Sequence, residues 1–417
     1  MALDTDISPV DLTDSRNFVD GVPYGWFAHL RRNAPAYWHE ETDGPGFWAI
    51  TRHEDCVNVN RDAQRFSSYR AGTFLWETPE EQLEQQRLMM VTMDPPLHTR
   101  YRRLVNKGFT PRTIAQLEQR IHVVADDIID AVCERGTADF VIDVAAELPL
   151  VVLAELLGVP AEDRDKMFDW SNRMIGRDDA EYQGAQAVAE ENAALAAAEL
   201  FGYAAELYEK KRIDPHEDLM SVLTQVELDG ERLSELELDL FFMLLAVAGN
   251  ETTRNLMSGA MVAFSQFPDQ WERLRADRSL LPSAVEEMLR FVTPVMNFRR
   301  QAVEDVVVAG QEIKDGDKVV FFHVSANRDE TVFEEPDRFD VGRKPNPHMA
   351  FGGGGPHFCL GANLARMEIT VMFEHLLDRL PDLHVDGKVE RLQSNFINGV
   401  KHLPVAFAPS KPVGSSA

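Results

Sequence analysis

Apolar residues recur at helical spacing over most of the chain, and one run of them is longer than the rest. From Ser234 onward Leu236, Leu240, Met243, Leu244 and Val247, then Leu256, Ala260 and Ala263, repeat at helical intervals as far as Phe267, where Pro268 stops the series. Between Phe241 and Ala248 the segment is apolar nearly all round, which predicts a buried helix. Gly249-Asn250-Glu251-Thr252-Thr253 interrupts it. Polar side chains in the middle of a buried helix need partners or a task. A structural hydrogen bond is the ordinary explanation.

Around this segment the pattern predicts a mainly α protein with small β-sheets. Residues 23–32 read as a short helix with proline in its first turn. Residues 36–39 and 47–51 read as strands around Asp43-Gly44-Pro45-Gly46. From Arg70 to Met93 the apolar residues Phe74, Trp76, Leu83, Leu88, Met89 and Met90 keep no single period. That stretch reads as ordinary core, or as a loop and short helix closing over an apolar substrate. Asp94-Pro95-Pro96 opens a helix to about Phe109, and helices dominate to about Lys211, with breaks at Gly158-Val159-Pro160 and near residues 176–179. Residues 283–291 read as helix, 306–308 and 318–322 as strands, and 383–408 as hairpin structure around Asn398-Gly399. No repeat, low-complexity linker or Ser/Gly-rich hinge divides the 417 residues, so a single domain over 1–417 is expected.

Charge and cysteine usage narrow the class. A net charge of −27 argues against general affinity for nucleic acid or anionic membrane. Cys56, Cys133 and Cys359 are irregularly spaced, which argues against a disulfide framework and fits a reducing cytoplasm. Residues 1–10 lack a basic-then-apolar signal, and no stretch is apolar for long enough to span a bilayer. Against this acidic background, no acid occurs between Pro95 and Leu117, while Arg100, Arg102, Arg103, Lys107 and Arg112 supply cations. A solvated helix face is the plain reading of that run.

The strongest chemical signal is Phe351-Gly352-Gly353-Gly354-Gly355-Pro356-His357-Phe358-Cys359-Leu360-Gly361, followed by a helix-forming run to Leu380. A backbone free to adopt positive φ delivers one sulfur to the start of a helix. Amide donors and the helix dipole there favour a thiolate, which suits an axial bond to the metal of a flat cofactor. A phosphate cradle is the other use of such glycines, but the Lys-Ser/Thr that follows in those loops is missing. Cys56 and Cys133 read as inert core thiols.

The stretch resembles the cysteine-ligand loop of the cytochrome P450 superfamily, Phe-x-x-Gly-x-x-x-Cys-x-Gly. Gly355, His357, Cys359 and Gly361 are in register. Gly352 holds the aromatic position and Phe351 lies one residue earlier, so this loop is one residue longer. Further segments match in the family's order. Ala248-Gly249-Asn250-Glu251-Thr252 resembles the oxygen-activating part of the family's long central helix. There, the resemblance implies, Ala248 leaves room for dioxygen, Thr252 hydrogen-bonds it and Glu251 relays protons. Because the acid and hydroxyl are adjacent, a local distortion of the helix is expected to aim both. Glu287-Met288-Leu289-Arg290 matches Glu-x-x-Arg, with both charges on one face. In the family this pair joins an arginine from Pro-x-Arg-Phe, here Pro336-Asp337-Arg338-Phe339. His98, Arg102, Arg300 and His357 match residues that meet the two propionates of haem b (iron protoporphyrin IX). Phe351, Ala248 and Gly361 are expected beside the ring, with Cys359 on its iron.

The resemblance implies a P450 fold, with a long central helix over a haem, acting as a monooxygenase. It would hydroxylate an unactivated C–H bond of an apolar small molecule using dioxygen. No flavin or iron–sulfur segment is visible, so ferredoxin and ferredoxin reductase are the implied partners, with the run Arg100–Arg112 helping to dock ferredoxin. Residues 248–255, 325–330, the lengthened glycine loop and 395–401 look most like actinobacterial members acting on methyl-branched fatty or isoprenoid chains and on sterol side chains. By position Phe74, Trp76, Met89, Leu245, Val295, Met296 and Phe396 are candidates to line an apolar pocket. Their bulk suits a terpene or macrolide as well. A haem sensor or electron carrier is the other class, and the Glu251–Thr252 pair argues against it.

Overall fold

The structure is a computed structural model that describes residues 8–414 apart from 43, 108, 110, 177, 184–188, 228 and 229. The expected turn at 43–46 therefore includes Asp43, which lies outside the described residues. The architecture is mainly α with small sheets.

The long apolar run forms the helix Glu235–Gln266, about 48 Å at 1.5 Å per residue. Ser234 and Glu237 cap each other's backbone N–H groups at its start. Pro268 opens the next helix, Pro268–Ala276. This central helix packs against Glu147–Leu157, Arg164–Ile175, Ala189–Ile213, Leu281–Val292 and Ala362–Arg379. Gly259 permits the approach to Leu281–Val292, since a Cβ there would lie 2.5 Å from Val292 Cγ1. Phe241, Phe242, Met257, Met261 and Phe264 enter the largest apolar cluster, which also takes in Phe339, Phe351 and Phe373. Burying each such side chain contributes about 1.5–3 kcal/mol.

The expected distortion at 249–253 is not there; the segment is α-helical throughout. Thr252 Oγ1 donates to the Ala248 carbonyl at 2.7 Å and Asn255 Nδ2 to the Glu251 carbonyl at 2.9 Å. These side chains bond alongside the backbone ladder rather than opening it.

A five-stranded sheet runs in the order Ala36–His39, Phe47–Ile50, Lys318–Phe322, Asn297–Ala302, Phe66–Ser67. Its pairs are antiparallel except Phe47–Ile50 with Lys318–Phe322. Alternate residues of one strand serve two cores, as the pleat requires: Val320 and Phe322 join Trp26 and Phe27, whereas Val319 and Phe321 join Ile50 and Phe66.

Other boundaries differ from the sequence pattern. The helix after Pro96 spans only Leu97–Val105, and Pro111–Val132 is a separate helix, its proline at the one end where a missing N–H is harmless. Residues 70–93 contain the helix Glu80–Gln86 and a single turn, Met90–Thr92. His53–Arg61 is a helix too polar for the apolar pattern to reveal. Asn398-Gly399 is no tight hairpin turn: Glu390–Arg391 pairs with Val400–His402 across a longer loop. Asn398 instead docks that loop, donating to the carbonyls of Val292 and Pro294. Among the described residues no helix is long and apolar enough to cross a membrane.

Candidate functional site

Gly352, Gly353, Gly354 and Gly355 adopt φ of +95°, +63°, +103° and +82°, a region that side chains disfavour. The loop they make is held by the helix His53–Arg61. Asn60 Nδ2 donates to the Gly352 and Gly354 carbonyls, and Arg61 Nε to the Gly353 carbonyl at 2.9 Å. A Cβ on Gly355 would lie 3.0 Å from Arg61 Cα. The Cys359 N–H returns to the Phe351 carbonyl at 3.0 Å, closing the loop. Phe351 stays in the main core, with the Arg366 guanidinium 4.6 Å from its ring centre. The extra residue is thus accommodated in the glycine arc.

Cys359 precedes the helix Ala362–Arg379. Its side chain is exposed, yet the protein packed around it pushes its thiol up against the opposing Gly361 N–H, Arg102 and Arg366. The loop alone does not favour the thiolate, contrary to the expectation from the helix start; a metal cation on the sulfur would. Cys56 and Cys133 are buried in the core, as expected of inert thiols.

Next to the loop stand Arg300, His98, His357 and Arg102. The His98 and His357 rings are 4.4 Å apart. Arg300 Nη2 donates to Asn60 Oδ1 at 3.0 Å and Nη1 to the Arg299 carbonyl at 2.7 Å. Arg102 Nη1 donates to the Phe358 carbonyl at 2.7 Å. Burial and then the charge of Arg102 lower His98 to about 4. Burial and then Arg300 hold His357 well below the usual imidazole range, and burial lowers Arg300 itself to about 10. Asp94, bonded by Ser67 and Ser68, opposes these shifts on His98 and Arg300. A buried arginine with a half-buried one near it and two neutral imidazoles as further donors suits an anionic partner. A flat cofactor with two carboxylates fits this donor set.

On the central helix Ala248 is exposed although Ala246 and Asn250 are buried. Thr252, one turn on and half-buried, shares that face. Glu251 points elsewhere and is 1 % exposed. Ser171 Oγ donates to its Oε1 at 3.2 Å, and Arg254 to its Oε2. Arg254 Nη1 also donates to Asn172 Oδ1 at 2.8 Å.

The Glu287–Arg290 pair is bidentate, 2.8 Å for both contacts, and fully buried. Its third member is Arg343, whose Nε reaches both Glu287 oxygens at 3.2 and 3.1 Å. Arg338, expected from the motif, contributes only its carbonyl. With Phe339 turned into the core, the preceding side chain faces solvent.

The Phe74 and Trp76 rings stack at 4.6 Å, with Phe396 edge-on to them at 5.3 and 6.2 Å. Val295 bridges to Ile397 beside Phe396, and Leu245 and Met89 are half-buried. Met296 parts from this set; it is packed in the core with Trp26 and Phe27. Residues the sequence did not single out are Asn60, Ser171, Asn172, Arg254 and Arg343. Only Arg254 carried a signal, a charge within the buried helix of the same kind as Glu251. The others become visible only through partners far away in the chain.

Residues 189–392 match the family model described as Cytochrome P450. A Mycobacterium tuberculosis protein named steroid C26-monooxygenase is 42% identical over 413 residues, covering 97% of this chain and 94% of that protein. A methyl-branched lipid omega-hydroxylase of the same organism is 40% identical over 399 residues, covering 93% and 92%. Among solved structures, a Mycobacterium marinum cytochrome P450 in complex with pseudoionone superposes with a TM-score of 0.87 at 38% identity, covering 97% of this chain and 100% of that one.

Proposed function

The chain belongs to the cytochrome P450 family, and from that premise we propose that it hydroxylates an unactivated C–H bond of a lipid, either a methyl-branched fatty or isoprenoid chain or a sterol side chain. Haem b (iron protoporphyrin IX), the cofactor of this family, supplies cleavage of dioxygen when bound through a thiolate, one oxygen atom entering the C–H bond and the other leaving as water with two electrons and two protons.

Cys359 would hold the haem iron through its sulfur, with Gly361 and Phe351 flanking it. Arg300, His98, Arg102 and His357 hold the two carboxylates. Ala248 leaves room on the central helix, Thr252 holds a proton at Oγ1, and Glu251 moves protons toward it. Phe74, Trp76, Phe396, Leu245, Val295 and Met89 bind the substrate; none is charged, which suits an apolar ligand. The names of the relatives, a steroid C26-monooxygenase and a methyl-branched lipid omega-hydroxylase, support this substrate class. Electrons come from ferredoxin and its reductase in the cytoplasm, to one domain spanning 1–417. A surface groove of about 1600 Å³ beside Pro356 of the cysteine loop is lined by Arg61, Arg65, Arg70, Arg100 and Arg103 together with Asp55, Asp62 and Asp94, and its excess of arginine offers ferredoxin a seat.

The observation that carries this reading is one sulfur, presented by four left-handed glycines at the start of a helix packed on the central helix. The test is the spectrum of the reduced protein with carbon monoxide. A strongly red-shifted Soret band that is lost in Cys359→Ala is expected; a wild-type band typical of nitrogen-ligated haem overturns the assignment. Titration with sterols and methyl-branched lipids should shift the ferric spin state, and silence from both groups while terpenes or macrolides respond would move the substrate class.

A further inference from the structure

The C-terminal end of the central helix lines a cavity of about 340 Å³ to which none of the residues assigned to haem or substrate contributes. Val262 and Ala263 of that helix, with Phe267, Phe291, Val292 and Val400, give it an apolar wall. Two arginines line the same space, and they differ in their partners. Arg328 is committed: it stacks on the rings of Tyr24 and Phe291 at 4.5 and 3.7 Å and donates to the Phe291 and Pro336 carbonyls and to Asp337. Arg391, on the strand Glu390–Arg391, is half-buried and has no such set. Among the described residues its side chain makes one hydrogen bond, from Nη1 to Asn398 Oδ1 at 3.4 Å, longer than such bonds usually are. Of the two acids lining the cavity, Asp337 faces Arg328 at 3.2 Å and Asp20 is exposed; neither pairs with Arg391.

A guanidinium drawn partly out of water without gaining a carboxylate is disfavoured. Burial accordingly lowers Arg391 from the usual arginine range, opposed by Tyr24. The edge of Arg391 without a protein partner is Nε with Nη2, two parallel donors. That is the edge Arg290 presents to the Glu287 carboxylate, at 2.8 Å for both contacts, and a fork of this kind matches the two oxygens of a carboxylate. We propose that this cavity is a binding site, separate from the haem site, for a small molecule with an apolar body and a single carboxylate, such as a medium-chain fatty acid, whose carboxylate is held by Nε and Nη2 of Arg391.

The two halves of the cavity divide the work. The apolar wall takes the body of the ligand and supplies affinity in proportion to the area it covers. Arg391 selects the charge. An inorganic anion would leave that wall wet, and a neutral lipid would leave the guanidinium unpaired. The volume is near the lower end for ligand pockets, about 300–1,000 Å³, which favours a short chain over a sterol.

The test uses haem-loaded protein with an azole bound to the iron. The azole fills the substrate pocket, and its own spectral shift reports separately on the haem site. Octanoate and octan-1-ol, alike in body and unlike in charge, are titrated by calorimetry into wild type, Arg391→Met and Gln266→Trp. Gln266 is an exposed residue of the cavity lining, where a tryptophan would obstruct the space without entering the core. Octanoate should bind wild type, bind Arg391→Met roughly tenfold or more weakly, as the loss of a charged hydrogen bond requires, and fail to bind Gln266→Trp. Octan-1-ol should bind wild type and Arg391→Met alike. No octanoate binding to wild type, or binding that either substitution leaves unchanged, overturns the proposal. Equal loss of both ligands in Arg391→Met overturns the role given to the charge. If Arg391→Met does not fold, Arg391→Lys keeps the charge and removes the fork; weaker octanoate binding then supports the site, and unchanged binding rejects it.

Discussion

Arg300, buried beside His98 and His357, is disfavoured by its own surroundings in the protein alone. In the proposed haem site it becomes favourable when two carboxylates arrive. Arg300→Leu should therefore weaken haem retention by about 10- to 100-fold, the worth of charged hydrogen bonds of about 1.5–3 kcal/mol. The melting temperature of the haem-free variant should not fall. Competitive haem transfer and thermal melts of both forms check this; equal loss in both forms would mark Arg300 as purely structural. Glu286 poses a different residue-scale question. Burial pushes its carboxyl up, but hydrogen bonds from Arg366 and His348 outweigh that and bring it to about 2. A depressed acid lends stability above its unfolded value of 4.5 and loses it as pH falls from there toward 2. Glu286→Gln should accordingly lower the melting temperature at pH 7, with the gap to wild type closing in acid.

Between elements, buried charge acts as a lock. Glu287 on the helix Leu281–Val292 ties Arg290, Arg343 and Asn346 into the segment before the cysteine loop. Glu287→Gln would leave two buried arginines without their carboxylate, and removing one partner of such a pair costs about 3–5 kcal/mol. A urea midpoint unchanged by this substitution would argue against the lock. Glu368, on the helix Ala362–Arg379, faces Thr253 of the central helix. Burial raises it to about 8 against a bond with Thr253. The native state then keeps a proton that the unfolded chain sheds above 4.5, so stability falls as pH rises from 4.5 through 8, by up to about 1.4 kcal/mol per unit. Glu368→Gln should remove that slope, leaving the variant more stable than wild type at pH 9 and similar at pH 5.

Across the whole molecule, the net charge of −27 would repel the proposed ferredoxin at long range if that donor is acidic, so the proposed contact depends on a local cationic surface. The run from Arg100 to Arg112 is the natural candidate in the sequence. In the fold, Arg100 is committed to Glu231 and Glu237, and Lys107 donates to the Glu227 carbonyl at 2.9 Å. The side chain of Arg112 lies outside the described residues. Arg103 lines the groove beside the cysteine loop, which makes it a direct probe of that surface. Arg103→Glu should slow reduction by ferredoxin severalfold at low salt, and the difference should vanish near 1 M, where the screening length is about 3 Å. Stopped-flow rates over a salt series decide it.

The sequence by itself determined the chemistry within short reach along the chain: the glycine arc and its cysteine, the long buried helix with a polar interruption, and the Glu-x-x-Arg pair on one face. Each depends on local φ preference or helical period, which neighbouring residues express without help. Tertiary structure decided the partners. Asn60 bonds Arg300 from 240 positions away, Arg343 rather than Arg338 closes on Glu287, and Ser171 with Asn172 turns Glu251 and Arg254 away from the Thr252 face. No local pattern encodes these choices, because a buried charge is satisfied by whichever side chain the packing of distant elements brings within reach.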